Sequence, residues 1–386
     1  MKKLLVFICL FLFMISPVLA VEPKNDNELL ANATNGLLME ISTGEILYEK
    51  GRDERVAVAS MTKMVAQIII LEQIEKGNLT WDEKVTVSKN AADMGGSQIY
   101  LEVGEEMTIR DLMKGITMAS ANDATVAMAE RIAGTEKKFV DMMNNKVKKL
   151  GLKNTHFVNS TGLDEDNHYS SSYDMAIIAK ELLKYEDILK FSSIYEDYLR
   201  VDTPNKFWLV NTNKLVRLYD GADGLKTGFT DNAGYCMAVT AKRGNMRLLA
   251  ITLGEKSGKV RNNETMKLLD YGFNNYKINL IKSKNDVVDK IKIDKGNKEF
   301  VNVVPIKDVS ILLKVSDRAK RYDTDVKIEK VKYPLQKGDI VGKILIKDGE
   351  KVIDNVDLIV NEQVKKINFI KLYFRTLKRI LSGELL

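Results

Sequence analysis

The segment that most constrains this chain is Ala59-Ser60-Met61-Thr62-Lys63, followed by the apolar run Met64 to Leu71. The spacing predicts a helix, with a serine and a lysine three residues apart at its opening. Residues three apart share one helix face, so the lysine amine comes within hydrogen-bond reach of the serine hydroxyl. At a first helical turn, free backbone N–H groups and the positive dipole end favour a developing oxyanion. Such an arrangement suits acyl transfer. The pair alone does not establish it, because Ser-x-x-Lys is a short motif that recurs by chance. Serine chemistry also needs a base, a route for a proton to the leaving group, an oxyanion hole and a hold on the substrate.

The usual base is histidine, and the chain has 2, His156 and His168, both in polar loop sequence. A Ser-His-Asp arrangement is conceivable with either, but no Gly-x-Ser-x-Gly elbow accompanies them. No His or Cys spacing resembles a metal-ligand set. Lysine can replace histidine if its pKa is lowered, and burial and a neighbouring cation both lower it. Lys63 therefore calls for a second positive group. Two segments fit. In Ala119-Ser120-Ala121-Asn122, Ser120 and Asn122 flank one residue, so an extended loop points both side chains the same way. Ser120 can then shuttle a proton between lysine and leaving amine. Asn122 either holds a substrate amide or simply caps the helix ahead of Asp123. In Asp223 to Thr230, strand alternation points Lys226 and Gly228 to one face. Lys226 would lower the Lys63 pKa and attract an anionic substrate, or would be a solvated strand lysine. Thr227 can hydrogen-bond a carboxylate. Gly228 lets a substrate backbone lie close along the strand edge.

Around these segments the chain reads as α+β. Leu37 to Ile41 and Glu45 to Tyr48 flank Ser42-Thr43-Gly44, a hairpin signal. Helices are expected from Ser60 to near Gly77, over Glu105 to Gly115, Asn122 to Ile132, Glu136 to Leu150 and Tyr173 to Tyr185. Strands are expected over Phe207 to Asn211, Ala233 to Lys242 and Met246 to Gly254, then a helix from about Val260 to Tyr276. Strands at both ends with helices between suggest one sheet whose first and last strands meet. From about Asp286, short runs alternate lysine with apolar residues, as in Lys290-Ile291-Lys292-Ile293. This is the period-two pattern of a small antiparallel β-rich domain, 286–362.

Over 365–386 the period changes again. Ile367, Ile370, Tyr373, Phe374, Leu377, Ile380 and Leu381 form one stripe, and Lys371, Arg375, Lys378 and Arg379 fall mostly opposite. Such a basic amphipathic helix suits an anionic membrane surface or a docking face on protein. At the other end, Lys2-Lys3, the apolar stretch Leu4 to Met14 and Val18-Leu19-Ala20 read as a signal peptide cut after residue 20. Removal of that peptide takes Cys9 and leaves Cys236, which reads as a buried strand cysteine. With 45% hydrophobic residues the chain has material for a sizeable core. A formal charge of +6, without a basic stripe interleaved with aromatics, does not argue for nucleic acid.

Taken in order, Ser60-x-x-Lys63, Ser120-x-Asn122 and Lys226-Thr227-Gly228 resemble the signature set of penicillin-binding proteins and serine β-lactamases. More narrowly, the chain resembles the low-molecular-mass, serine-type D-alanyl-D-alanine carboxypeptidases along nearly its whole length, including Asn159 to Leu163 and Ala233-Gly234-Tyr235. The resemblance implies a catalytic domain over 21–277, with Ser60 as acylated nucleophile and Lys63 as its base. Ser120, Asn122 and Lys226 would be the supporting set. The N–H groups of Ser60 and Phe229 would form the oxyanion hole, and Arg261 would help hold a terminal carboxylate. Ala121 and Phe229 stand where some relatives have Gly and His, and neither change removes a reacting group. The implied substrate is a peptidoglycan stem peptide ending in D-Ala-D-Ala, with β-lactams as covalent mimics. No cofactor is implied, and the implied place is the outer face of the cytoplasmic membrane. Two other readings stay open: a β-lactamase, although the surroundings of Glu165 do not match a deacylating glutamate, and a wall-binding protein without catalysis.

Overall fold

The computed structural model describes residues 29–317, 321–329, 331 and 334–382. The expected signal peptide lies outside them. Five antiparallel strands make the main sheet: β1 (Asn35–Glu40), β2 (Ile46–Lys50), β3 (Ala222–Thr230), β4 (Gly234–Arg243) and β5 (Met246–Glu255). Their spatial order is β2-β1-β5-β4-β3, so the first strand pairs with the last, with Leu38 opposite Ala250. Both sheet faces are covered, which explains the nearly continuous apolar sequence of β5. Successive side chains alternate between faces. Leu37, Met39, Leu249 and Ile251 pack into one core with the helices between β2 and β3. Leu38, Leu248 and Ala250 pack into the other with Leu268 and Leu269.

The first core is centred on α1 (Lys63–Glu75), in which every residue from Lys63 to Leu71 is buried. A helix apolar all round belongs in an interior. Around it stand α2 (Asn122–Ala133), α3 (Glu136–Lys149) and α4 (Ser172–Leu182), and α5 (Gly258–Asn275) covers the opposite sheet face. Strand β3 is the sheet's outer strand on this side, with one edge free of β partners among the described residues.

The helix expected over Glu105 to Gly115 is shorter than its pattern. Glu106–Thr108 is a strand paired with Lys84–Thr86, and the helix runs Ile109–Lys114. Thr108 stops the helix from extending backward, because its side chain accepts the Asp111 N–H as a cap.

Beyond α5 the chain forms β6 (Tyr276–Lys282), β7 (Asp289–Lys292), β8 (Phe300–Pro305), β9 (Val309–Lys314), β10 (Asp323–Ile328), β11 (Ile340–Asp348) and β12 (Lys351–Val360). Strand β6 pairs with β9, and the other five form a sheet in the order β7-β8-β12-β11-β10. Their own core includes Val301, Val303, Ile344, Ile346 and Leu358. The last helix, α6 (Phe369–Leu381), carries no buried residue. Its start at Phe369 leaves Ile367 off the stripe: Ile367 is buried, and its N–H donates to Lys295 O.

Candidate active site

Ser60 stands in a tight 3-10 turn, Ala59–Thr62, that feeds α1. Ala59 has a left-handed backbone, φ 48°. The turn is braced by Gly162, at φ 84°, where an added Cβ would stand 1.9 Å from Ala59 O. Only glycine permits that approach. The brace brings Thr161 alongside the nucleophile. Lys63 Nζ donates to Ser60 Oγ at 2.8 Å and to Thr161 O at 2.6 Å. Lys63 is fully buried, and its pKa lies well below the ordinary value, chiefly through desolvation and next through the charge of Lys226. Asp123 opposes the shift.

The second segment departs from the extended loop expected of it. Helix Ile109–Lys114 runs on as a π-turn, Gly115–Ala119, and ends at Ser120 in the left-handed region, φ 61° and ψ 31°. Such insertions and outliers concentrate at functional sites. Ser120 Oγ is buried and has no hydrogen-bond partner. Asn122 is not a helix cap, since Ala121 holds that position. Its N–H donates to Ser97 O at 2.7 Å and its Nδ2 to Gly95 O at 2.7 Å. Asp123 accepts the Ile99 and Leu101 N–H groups at 3.1 Å each.

On β3, Lys226 is buried, and Nζ donates to its neighbour's carbonyl, Thr227 O, at 2.9 Å. Burial and the Arg261 guanidinium bring its pKa down to about 7. Thr227 Oγ1 donates to Thr212 Oγ1 at 2.7 Å, and the Thr212 N–H donates to Met118 O at 2.9 Å. Thr212 thus ties the Ser120 turn to β3. Gly228 faces the nucleophile turn: a Cβ there would lie 3.1 Å from Ser60 N. The Phe229 ring is exposed and packs on Tyr235, centroids 4.3 Å apart. Arg261, near the start of α5, is buried against Cys236 O at 3.5 Å and Asn262 Oδ1 at 2.9 Å. Burial raises the Cys236 thiol to about 11, which suits an inert core cysteine.

Neither histidine reaches Ser60 as a base. The Val158 N–H donates to His168 Nδ1 at 3.2 Å, so the proton sits on Nε2, 2.8 Å from Thr62 Oγ1. Thr62 Oγ1 in turn donates to Ala59 O at 2.9 Å. Burial holds the His168 pKa down at about 4. His168 therefore braces the serine turn from behind, while His156 Nδ1 lies 2.7 Å from Asn167 O. Sequence reasoning missed the Thr161 carbonyl, the Thr212 tie and the Thr62–His168 brace. The Gly162 that follows Thr161 was the one local signal. Among the described residues, no group of three or more His, Cys, Asp or Glu could hold a metal ion.

A half-buried serine paired with a buried lysine beside an edge strand of an antiparallel sheet, with a second lysine nearby, has the arrangement that lysine-assisted serine acyl transfer requires. The chain belongs to the D-alanyl-D-alanine carboxypeptidase family, the low-molecular-mass penicillin-binding proteins: residues 22–257 match that carboxypeptidase family and 276–366 match the C-terminal domain of penicillin-binding protein 5. It is 45% identical to the D-alanyl-D-alanine carboxypeptidase DacF of Bacillus subtilis, over 98% of this chain and 97% of the relative. Penicillin-binding protein 5 of Haemophilus influenzae matches its fold with TM-score 0.69 and 29% identity, over 87% of this chain and 98% of that one. The ampicillin-bound penicillin-binding protein D2 of Listeria monocytogenes matches with TM-score 0.56 and 33% identity, over 62% of this chain and 97% of that one.

Proposed function

We infer that the protein is a serine-type D-alanyl-D-alanine carboxypeptidase that removes the terminal D-Ala from peptidoglycan stem peptides. The observation that carries the chemistry is the 2.8 Å contact between a buried, cation-crowded Lys63 amine and Ser60 Oγ. Neutral Lys63 takes the Ser60 proton as Oγ attacks the penultimate residue's carbonyl. The oxyanion forms against the N–H groups of Ser60 and Phe229, a reading supported by the closeness of Gly228 to Ser60 N. Collapse breaks the C–N bond, and the proton passes from Lys63 through Ser120 to the leaving amine. Water then hydrolyses the ester on Ser60. Asn122 holds the substrate backbone, which lies along the free edge of β3. Lys226 and Thr227 receive the terminal carboxylate, and Arg261 supplies positive field from behind β4.

β-Lactams would acylate Ser60 by the same steps. Glu165 is exposed, which does not suit a deacylating glutamate and leaves the β-lactam adduct slow to hydrolyse. Release of D-Ala from a D-Ala-D-Ala pentapeptide, measured for wild type beside Ser60→Ala, tests the reading. Wild-type release abolished by the substitution supports it, and penicillin hydrolysis without D-Ala release overturns it.

We also propose that the enzyme works at the outer face of the cytoplasmic membrane, exported by its signal peptide and held by α6. Among the described residues no helix is long and apolar enough to cross a membrane. The apolar stripe of α6 is open: Phe369 and Leu381 are 80% exposed, and Ile370 and Phe374 are 63% exposed. Its other side is tied to the β-rich domain, Arg375 to Gly296 O at 2.8 Å and Arg379 to Asp294 at 3.4 Å. A helix tied down by its arginines presents its apolar face outward, as a surface-lying anchor requires.

A further inference from the structure

The segment that Asn122 and Asp123 hold carries one aromatic side chain outward. Tyr100 has a left-handed backbone, φ 56°, although it has a bulky side chain. That conformation is costly for any residue but glycine and persists only where surroundings enforce it. Here they do so on both sides. The Asp123 carboxylate accepts the N–H groups of Ile99 and Leu101, the residues flanking Tyr100. Arg200 donates to Ile99 O at 3.0 Å and Tyr100 O at 3.3 Å while paired with Glu105 at 2.5 Å. Arg200 is itself left-handed, φ 54°. So much constraint ends in a ring that is 68% exposed. The ring makes an edge-on approach to Phe207, centroids 5.8 Å apart.

Beside the ring opens a cavity of about 710 Å³ whose lining combines Tyr100 and Phe207 with the carboxylates of Glu102, Glu106 and Asp111. The loop that carries Tyr100 is tied to the Asn122 segment. Ser97 O accepts the Asn122 N–H at 2.7 Å. Tyr100 follows Ser97 by three positions, which is at most about 10 Å of chain. A stem peptide of five residues spans roughly 17 Å extended. That length lets a substrate engaged at Ser60 extend beyond the Asn122 segment to which the Tyr100 loop is tied.

We propose that Tyr100 and this cavity form a subsite for the carbohydrate of the glycan strand that bears the stem peptide, an inference that rests on the carboxypeptidase reading above. An exposed aromatic face packs against the C–H face of a pyranose by dispersion, and a backbone already fixed has less ordering left to lose on binding. Carboxylates accept sugar hydroxyl protons through charge-assisted hydrogen bonds. The acidic lining disfavours an anionic ligand, and a sugar linked to its peptide through an amide is neutral at that point.

The test compares D-Ala release from a disaccharide-pentapeptide and from the same pentapeptide without sugar. Wild type should show about tenfold higher kcat/KM on the sugar-bearing substrate. Tyr100→Gly, which glycine tolerates at this φ, should bring that ratio to about one, and Tyr100→Trp should keep it. A wild-type ratio of one overturns the subsite, as does equal loss on both substrates, which would mean that Tyr100 serves the peptide or the fold. Release from neither substrate overturns the carboxypeptidase reading instead. The subsite is then decided by calorimetric binding of the disaccharide-pentapeptide to Ser60→Ala, with and without Tyr100→Gly. Affinity reduced about tenfold by Tyr100→Gly supports it, and unchanged affinity overturns it.

Discussion

Lys63 Nζ and Ser60 Oγ stand 2.8 Å apart, and the same Nζ holds the Thr161 carbonyl at 2.6 Å. The carbonyl orients the amine without adding a full negative charge that would hold a proton on it. A carboxylate in that place would have fixed Lys63 as an ammonium ion. Lys63→Arg keeps a cation but removes the base. It should lower acylation of Ser60 at least a hundredfold, the scale of general-base losses. Labelling with a fluorescent penicillin, followed by mass spectrometry of the Ser60 peptide, measures it.

The two lysines set opposite limbs of a pH profile. Lys63 works when neutral, so activity rises with pH through its lowered pKa. Lys226 works when charged, and its pKa is about 7, so kcat/KM of the free enzyme should fall as pH rises beyond that value. Arg261 is the named charge that depresses Lys226. Arg261→Gln should therefore move the alkaline limb to higher pH. A kcat/KM profile over the neutral to alkaline range checks this, and an unmoved limb would assign it to another group.

Ser120 Oγ is buried with no partner. Removing an unsatisfied hydroxyl forfeits no hydrogen bond. Ser120→Ala should leave the melting temperature equal or slightly higher while slowing acylation about a hundredfold. Calorimetry and penicillin-labelling rates, run side by side, separate the two effects.

Gly162→Ala should act in the reverse way. Its Cβ would meet Ala59 O at 1.9 Å, and its φ is 84°. Both the clash and the backbone strain disturb the serine turn. A loss of about 3 kcal/mol, at the upper end of common single substitutions, is expected together with loss of acylation. Chemical denaturation measures the first.

Deleting residues 365–386 should release the mature protein from membranes without changing Ser60 acylation, since the ties of Ile367, Arg375 and Arg379 run to Lys295, Gly296 and Asp294 of the β-rich domain. Fractionation followed by penicillin labelling of both fractions checks it. Truncated protein that stays with the membrane would point to retention of the signal segment.

Much was legible from local pattern. Period-two and helical periodicities gave most elements, because a side chain's face depends on near neighbours in sequence. The apolar run of β5 reads as a buried strand, and the pairing of β1 with β5 agrees with strands at both ends of a helical block. Where a distant partner decides, local pattern failed. Glu106–Thr108 reads as helix and becomes a strand because Lys84–Thr86 lies beside it. The left-handed turn at Ser120 has no signature in Ala119-Ser120-Ala121.

By itself, the sequence determined which candidate reacting groups exist and in what order: Ser60, Lys63, Ser120, Asn122 and Lys226. Tertiary structure decided what those groups are chemically. A lysine is an ammonium ion in water. Lys63 has its pKa lowered because the fold buries it and sets Lys226 beside it, and its amine is held by the Thr161 carbonyl from 98 residues away. Desolvation and charge proximity are properties of a packed interior, and spacing along a chain does not encode them.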